Sequence, residues 1–281
     1  MKRLILLLSL ALLPLMNGCS HNLFNVPQER FANQVKILGV APIFVDGDSD
    51  IRYPQKDELV ALLNMQNRLR ERDLVRLIKN TNSFYTVTLL NGDPQKLFKE
   101  LFYRRERRDD AGIRYNKYFW KTDELAKLIN QNSLDALLLV VVSGITRPEK
   151  ITSSNLMESL DTDYNHLIMT AQVLDRNGTI LWEYPNFRTR ILSFPALLNL
   201  QYPDFDEARA NMTPKIEVKF KTMDGIKRAL DKRRLDLLMR ETGDAELYTN
   251  QFDEISSLIT VDRDQKAGQK PNQEPPKERK P

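Results

Sequence analysis

Apolar and polar residues follow one another in blocks that predict alternating strands and helices after residue 34. Residues 35–45 are apolar and rich in β-branched side chains, and an Asp-Gly-Asp turn follows them, which predicts a buried strand. Leucine and isoleucine recur at helical spacing over residues 57–80 with charged residues between them, which predicts one amphipathic helix. Residues 84–90 (FYTVTLL) predict a second strand.

Capping residues indicate where the next helices begin. Asp93 is a suitable N-cap and Pro94 suits a first helical turn, so the pattern predicts a helix from Pro94 to about Arg108. Thr122 begins a further helix, whose first turn carries acidic residues that interact favourably with the helix dipole. Residues 134–144 contain seven consecutive apolar residues, which predicts a strand covered on both faces.

The apolar pattern changes to period two over residues 161–185, which is typical of a strand with one buried face. The sequence Asp-Arg-Asn-Gly at 175–178 predicts a hairpin turn, and residues 179–184 predict the returning strand. Thr213 and Pro214 indicate a closing helix that extends to about Arg240, with an apolar stripe formed by Ile216, Phe220, Met223, Ile226, Leu230 and Leu237.

These elements together predict an α/β fold, with α+β as the alternative. Residues 35–261 would form a single domain in which helices cover a mixed β-sheet, with a β-hairpin near residues 165–184. Residues 262–281 contain four prolines and many charged residues, and they predict a disordered, basic tail.

The first residues predict export. A basic start precedes an almost unbroken apolar run of thirteen residues, Leu4 to Met16. This run is too short to span a bilayer and therefore predicts a signal peptide over residues 1–18. The Gly18-Cys19 pair resembles the lipobox of bacterial lipoproteins, which implies lipidation of Cys19 and, because Ser20 follows it, an outer-membrane location facing the periplasm. Residues 19–34 are polar and predict a tether between the lipid and the domain.

Composition and motifs argue against several classes of function. With one cysteine and two histidines, the chain has no intramolecular disulfide and little material for a metal site. Residues 19–261 carry 34 basic and 34 acidic residues, which argues against nucleic-acid binding. No nucleophile elbow, phosphate-binding loop or dinucleotide motif is present, so we expect neither an enzyme nor a cofactor.

Several segments in order resemble a periplasmic α/β domain found in the curli secretion lipoprotein family and at the amino terminus of TolB. They are Ile37 to Ile43, Ser83 to Val87, Leu134 to Val142 and the VLD…G…ILW pattern of residues 173–182. The resemblance implies a lipid-anchored domain that serves envelope assembly, secretion or polymer transport through contacts with other envelope proteins. In contrast to the curli family, we identify no pair of long amphipathic hairpins in this chain.

A basic and aromatic segment is the candidate partner interface. An exposed Tyr and Trp patch bordered by Arg is typical of protein interfaces, and we expect one here. Its residues are Arg104, Arg105, Arg107, Arg108, Tyr115, Tyr118 and Trp120. A second basic cluster comprises Lys227, Arg228, Lys232, Arg233 and Arg234, and we interpret it as a solvated helix face, with anionic lipid or glycan phosphate as the alternative.

The alternative function is a cell-wall glycan-binding protein or glycan hydrolase. Paired carboxylates occur at Asp161 and Asp163 and at 204–207, but sequence neighbours do not establish the separated pair that glycan hydrolysis requires. We interpret them as solvated, and His166 as a hydrogen-bonded structural residue. The basic tail could also bind peptidoglycan or a partner while the domain only presents it.

Overall fold

The computed structural model describes residues 23–110, 112–186, 194–212 and 215–261. The predicted signal peptide over 1–18, the lipidation site Cys19 and the predicted tail over 262–281 lie outside the described residues. None of the helices in the described ranges is long and apolar enough to span a membrane.

Strands and helices alternate along most of the chain. The helices are α1 (Gln28–Gln34), α2 (Lys56–Asn80), α3 (Pro94–Leu101), α4 (Thr122–Gln131), α5 (Phe205–Ala210), α6 (Met223–Asp231) and α7 (Glu246–Leu258). The strands are β1 (Ile37–Val40), β2 (Phe44–Asp46), β3 (Thr86–Leu89), β4 (Phe102–Asp110), β5 (Ile113–Trp120), β6 (Ala136–Thr152), β7 (Ser159–Asp175), β8 (Ile180–Tyr184), β9 (Leu198–Asn199), β10 (Gln201–Asp204), β11 (Glu217–Phe220), β12 (Arg233–Leu235) and β13 (Glu241–Ala245).

The central sheet is mixed and has the strand order β3-β1-β6-β7-β8, with β2 also paired to β6 and β9 to β7. Strand β1 runs parallel to β3 and β6, whereas β7 runs antiparallel to β6 and β8. The predicted mixed α/β fold is therefore confirmed. The predicted hairpin is also confirmed, since the Asp175 carboxylate accepts the amide hydrogens of Asn177 and Thr179 in the turn between β7 and β8.

Two hydrophobic layers enclose this sheet. Leu138 and Val140 of β6 belong to the layer that contains buried residues of α2 and α7, such as Phe252. Leu137 and Leu139 belong to the opposite layer, beside α3, α4 and the β4–β5 hairpin. Because successive strand residues point to opposite faces, a strand covered on both sides must be apolar at every position, as the run in β6 is.

The first predicted strand is interrupted. Val40 pairs with Leu138 and Phe44 with Val141, so the break adds one residue relative to β6. Pro42, which has no amide hydrogen, lies within this break. Polar side chains of α2 satisfy the buried backbone at this break: Glu71 accepts the Ile43 amide hydrogen at 3.0 Å, and Asn67 donates to the Ile43 carbonyl at 3.3 Å.

The helix predicted from Pro94 to about Arg108 is wrong in its second half. Asp93 caps α3 as predicted, accepting the Lys96 amide hydrogen at 2.8 Å, but the helix ends at Leu101. Residues 102–110 form β4 and pair with β5, and Gly112 lies in the turn between them with a φ of +82°. Residues 104–110 are all charged and lack the apolar stripe that a packed helix needs, and the helix prediction rested on the cap alone.

The predicted closing helix is also wrong. Thr213 and Pro214 lie outside the described residues, and the segment that follows forms β11, α6 and β12 in turn. The effective cap is Thr222, whose hydroxyl accepts the Gly225 amide hydrogen at 3.1 Å. Ile226 and Leu230 are buried as predicted, but Leu237 is fully exposed in the turn after β12.

The tether predicted over residues 19–34 is wrong from Leu23 onward. Leu23, Phe24 and Phe31 are buried, and Phe31 belongs to α1. Backbone hydrogen bonds join this segment to β8, because Asn25 donates to the Leu181 carbonyl at 2.9 Å and Glu183 donates to the Leu23 carbonyl at 3.2 Å. Residues 23–34 are therefore part of the folded domain.

Candidate functional site

The candidate interface lies on the β4–β5 hairpin, which packs over the second hydrophobic layer of the sheet. Tyr115, Tyr118 and Trp120 are at most 8% exposed. The expectation of an exposed aromatic patch is therefore wrong for these three residues. Tyr118 and Trp120 lie two residues apart on one face of β5 and pack into this second layer, whereas Tyr115 packs into the first layer.

Tyr118 and Trp120 each have a specific polar partner in the body, whereas the Tyr115 hydroxyl donates to Asp110 within the hairpin at 3.1 Å. The Tyr118 hydroxyl donates to Asp46 at 2.8 Å, and the Trp120 indole donates to Gln172 at 2.7 Å. Burial and the Asp46 carboxylate raise the pKa of Tyr118 far above its ordinary value, so the hydroxyl stays protonated. These bonds fix the hairpin in one position on the sheet.

Two of the predicted interface arginines hold the hairpin to the loop after β2. Arg105 binds the Asp46 carboxylate and the Asp48 carbonyl. Burial opposes the Arg105 charge, but the hydrogen bond and ionic attraction from Asp46 outweigh it and raise the pKa of the guanidinium. Arg107 donates to the Thr146 carbonyl and lies 3.8 Å from Asp50.

The other two arginines form a charge ladder along β4. Arg104 pairs with Glu106, while Arg108 lies 3.6 Å from Glu106 and 2.9 Å from Asp110. The hydrogen bond from Arg108 lowers the pKa of Asp110. The Arg104 guanidinium also lies over the Phe119 ring, 3.9 Å from its centroid.

The hairpin consequently presents paired charges in place of the basic surface that we expected. Its six basic residues face six carboxylates, three from the hairpin and three from the body. The basic residues are Arg104, Arg105, Arg107, Arg108, Arg114 and Lys117, and the carboxylates are Asp46, Asp50, Glu106, Asp109, Asp110 and Glu183. Arg105, Arg107 and Lys117 attach the hairpin to the body, and the other three basic residues pair within the hairpin.

The predicted carboxylate pairs do not converge on a cleft. Asp161 and Asp163 are exposed on β7 opposite Lys150 and Pro148. Asp204 caps α5 by accepting the Glu207 amide hydrogen, and Lys219 lies against both side chains. Across the described ranges, no three His, Cys, Asp or Glu side chains are grouped to hold a metal ion.

His166 is a buried, hydrogen-bonded residue, as expected. Its Nδ1 lies 2.7 Å from the Asn199 side-chain oxygen, and its Nε2 lies 3.1 Å from Glu149. Burial lowers the pKa of His166, so the ring is neutral at pH 7. The contact with Asn199 joins β7 to β9.

A long hairpin that the sequence analysis missed projects from the sheet. Strands β6 and β7 have 17 residues each, and the part that we call the arm, residues 147–163, extends beyond the buried core. At about 3.4 Å per residue, the six arm residues of β6 reach roughly 20 Å. Its turn exposes Leu156 and Met157 by 80% and 82%.

Hydrogen bonds within the arm turn hold these apolar side chains outward. The Asn155 side-chain oxygen accepts the Met157 amide hydrogen at 3.1 Å, and the Ser153 hydroxyl accepts that of Glu158 at 3.1 Å. Leu156 has a φ of +59°, a conformation that costs a β-carbon residue about 1–2 kcal/mol. The arm carries four acidic and two basic residues, so its surroundings are acidic.

A second hairpin, β12–β13, exposes another apolar turn, which we call the LLM tip (Leu237, Leu238 and Met239). These three side chains are 102%, 70% and 75% exposed. The second predicted basic cluster surrounds this hairpin, since Lys227 and Arg228 of α6 line one groove together with Arg233 and Leu235. The short apolar runs LM (156–157) and LLM (237–239) between turn-forming residues are the sequence signals that could have identified both turns.

No protein-family model and no curated protein matches this sequence. Among solved structures, a PelC dodecamer from Paraburkholderia phytofirmans is similar over 53% of this chain and 68% of that one, at 9% identity and a TM-score of 0.25. A structure described as a neuraminyllactose-binding hemagglutinin homolog from Helicobacter pylori is similar over 86% and 87%, at 6% identity and a TM-score of 0.31. At these identities and TM-scores, neither similarity assigns a family or a function to this chain.

Proposed function

We propose that this protein is a lipid-anchored, noncatalytic component of a bacterial envelope assembly, secretion or polymer-transport system, and that it acts through protein contacts. The signal-peptide pattern and the Gly18-Cys19 pair support anchoring at the outer membrane, facing the periplasm. The observation that carries the protein-contact role is the arm with its fixed apolar turn.

The arm has the properties of a surface that another protein covers. Leu156 and Met157 are large apolar residues held outward by a hydrogen-bonded turn, which is costly for a free monomer in water. Methionine and leucine on such a turn adapt to an apolar pocket of a partner. The acidic residues around them disfavour anionic lipid and leave a protein as the better occupant.

The short link to the lipid supports the same role. Three residues, 20–22, separate Cys19 from the buried Leu23, and the four steps between these two residues span at most about 14 Å. Acyl chains on Cys19 would therefore hold the domain close to the membrane, where partners embedded in that membrane lie within reach of the arm.

The test is crosslinking in living cells followed by affinity purification from detergent-solubilised membranes. We would compare the wild type, the unanchored variant Cys19→Ala and the arm variant Leu156→Asp. The matched control is Leu69→Asp, the same substitution at a site on α2 that is 59% exposed. We expect a reproducible set of envelope proteins in the wild type and in the control, with loss from both other variants.

Two outcomes would contradict the proposal. Recovery of the protein without any partner would remove the protein-contact role. Recovery with wall fragments regardless of Cys19 would favour the alternative, a cell-wall glycan-binding protein or glycan hydrolase, and the exposed pair Asp161 and Asp163 would then be the first residues to substitute.

A further inference from the structure

The LLM tip combines an apolar turn with a basic surround. Residues 227–240 contain six basic and two acidic residues, a net charge of +4, whereas the arm segment 147–163 carries a net charge of −2. The acidic residues Asp224 and Glu241 border the basic surround. Both hairpins expose apolar side chains, but the charges around the two turns have opposite signs. The two turns therefore suit different kinds of partner.

Backbone amide hydrogens at the LLM tip are already hydrogen-bonded within the turn. The Asp236 carboxylate accepts the amide hydrogens of Leu238 and Arg240 at 2.8 and 2.9 Å. The Met239 amide hydrogen is bonded to the Asp236 carbonyl at 3.0 Å. Because these donors already have acceptors inside the turn, moving the turn out of water leaves them satisfied, and the usual cost of an unpaired amide is avoided.

The described residues leave the side chains of the tip largely uncovered. Leu237 is fully exposed and Leu238 is 70% exposed, while Met239 is held at a φ of +60°. Asp236 also binds the Arg240 guanidinium at 2.8 Å, so the turn is fixed on both sides of the apolar residues. A rigid turn that points three large apolar side chains away from the domain favours insertion into an apolar phase.

Cations lie where lipid headgroups would meet an inserted turn. Lys227 and Arg228 are exposed on α6 and line a groove with Leu235 at the base of the hairpin. Among the described residues, no carboxylate lies within ion-pair distance of these two cations. Lys232 and Arg234, in contrast, pair with Glu246 at 2.8 Å and Asp253 at 2.5 Å. Two cations therefore remain available for external anions.

From these observations we infer that the LLM tip inserts into an anionic lipid surface, with Lys227 and Arg228 binding the phosphate headgroups. This inference rests on the proposed function for the presence of a nearby membrane, and it adds a second membrane contact that is independent of Cys19. The anchor and the tip would together fix the orientation of the domain, because one attachment alone permits rotation.

The test places an environment-sensitive nitrobenzoxadiazole label at the tip. Cys19 is the only cysteine, so the full chain with Cys19→Ala and Leu238→Cys carries a single thiol for labelling. The matched control carries Cys19→Ala and Leu156→Cys, which places the label on the equally exposed arm turn. Vesicles contain phosphatidylethanolamine with phosphatidylglycerol, or phosphatidylcholine alone.

We expect the emission from position 238 to rise and shift to shorter wavelength with phosphatidylglycerol vesicles only, and the emission from position 156 to stay unchanged. Adding Lys227→Gln and Arg228→Gln should raise the lipid concentration for half the signal by about thirtyfold, the effect of losing about 1 kcal/mol of attraction per cation. The same two neutralisations at the exposed Lys96 and Lys99 of α3 should leave that concentration within about twofold of the parent.

Three results would overturn the inference: no change at position 238, an equal change with phosphatidylcholine, or a change without vesicles as the protein concentration rises, which would indicate a second copy of the chain as the occupant. The label experiment uses the isolated protein and vesicles, so its outcome does not depend on the envelope partners. If the label at position 238 does not respond but the crosslinking experiment still recovers the partners, the inference fails and the proposed function stands. If the label responds but no partners are recovered, the membrane contact stands and the proposed function fails.

Discussion

Asp46 shows how one carboxylate determines the position of an entire hairpin. It is 2% exposed and binds both Arg105 and Tyr118, which face each other across β4 and β5. Asp46→Ala would leave a partly buried guanidinium and a buried hydroxyl without their acceptor. We expect the free energy of unfolding to fall by about 2–4 kcal/mol, measured by urea denaturation.

The neighbouring Asp48 provides the control for that substitution. Its side chain is exposed, and only its backbone carbonyl accepts a hydrogen bond from Arg105. Asp48→Ala should change the free energy of unfolding by no more than about 0.5 kcal/mol. Equal effects of the two substitutions would show that the hairpin is not held through Asp46.

Glu71 carries a pH dependence whose sign follows from its burial. Burial raises its pKa above the ordinary value of 4.5, although the Ile43 amide hydrogen bond acts in the opposite direction. As the pH rises through the interval above 4.5, the unfolded chain therefore loses its proton before the folded one does. Stability falls over that interval and stays lower at pH 7.

Glu71→Gln keeps an oxygen that can accept the Ile43 amide hydrogen and removes the buried charge. We expect the variant to unfold at a higher urea concentration than the wild type at pH 7, with the difference disappearing in acid, where both states of the wild type are protonated. The same substitution at the exposed Glu58 should give no such gain. A stability difference that does not vary with pH would contradict this account.

At the scale of elements, hydrophobic periodicity predicted the strands and helices whose conformation depends only on which of their own residues are buried. The strand over 134–144, the helix over 57–80 and the hairpin turn at 175–178 all form, because an apolar face or an Asn-Gly turn leaves few alternatives. Residues 102–110 have no such face. Their strand conformation depends on partners distant in sequence, such as Asp46, which local patterns do not reveal.

The candidate site was only partly accessible from the sequence for the same reason. The cluster of arginines and aromatic residues was recognisable, but whether it faced solvent depended on three carboxylates of the body that lie elsewhere in the chain. The exposed LLM tip could not be predicted from the sequence for a different reason. Leu237 fits the apolar stripe of a continuous helix, and only the strand pairing of β12 with β13 places it in a turn.

For the molecule as a whole, the ends of the domain are joined through β8. Trp182 pairs with Phe24 in a short bridge, and its indole donates to the Leu258 carbonyl at 3.1 Å. The amino-terminal segment and α7 therefore meet at one buried residue. A polar segment with few apolar residues, such as 21–34, gave no sequence signal of this role, since its contribution depends on a few buried side chains and on backbone hydrogen bonds to β8.

This arrangement predicts that residues 23–35 belong to the folding unit. A chain that begins at Lys36 lacks the buried Leu23, Phe24 and Phe31, each worth about 1.5–3 kcal/mol when buried. We expect it to melt well below a chain that begins at Leu23, by circular dichroism, and to lose at least about 5 kcal/mol of stability. Arg30→Ala, at an exposed position of α1, serves as a control that should melt like its parent. Equal melting of the two truncated chains would mean that the segment only rests on the surface, and the domain would then be free to move by the length of a longer tether.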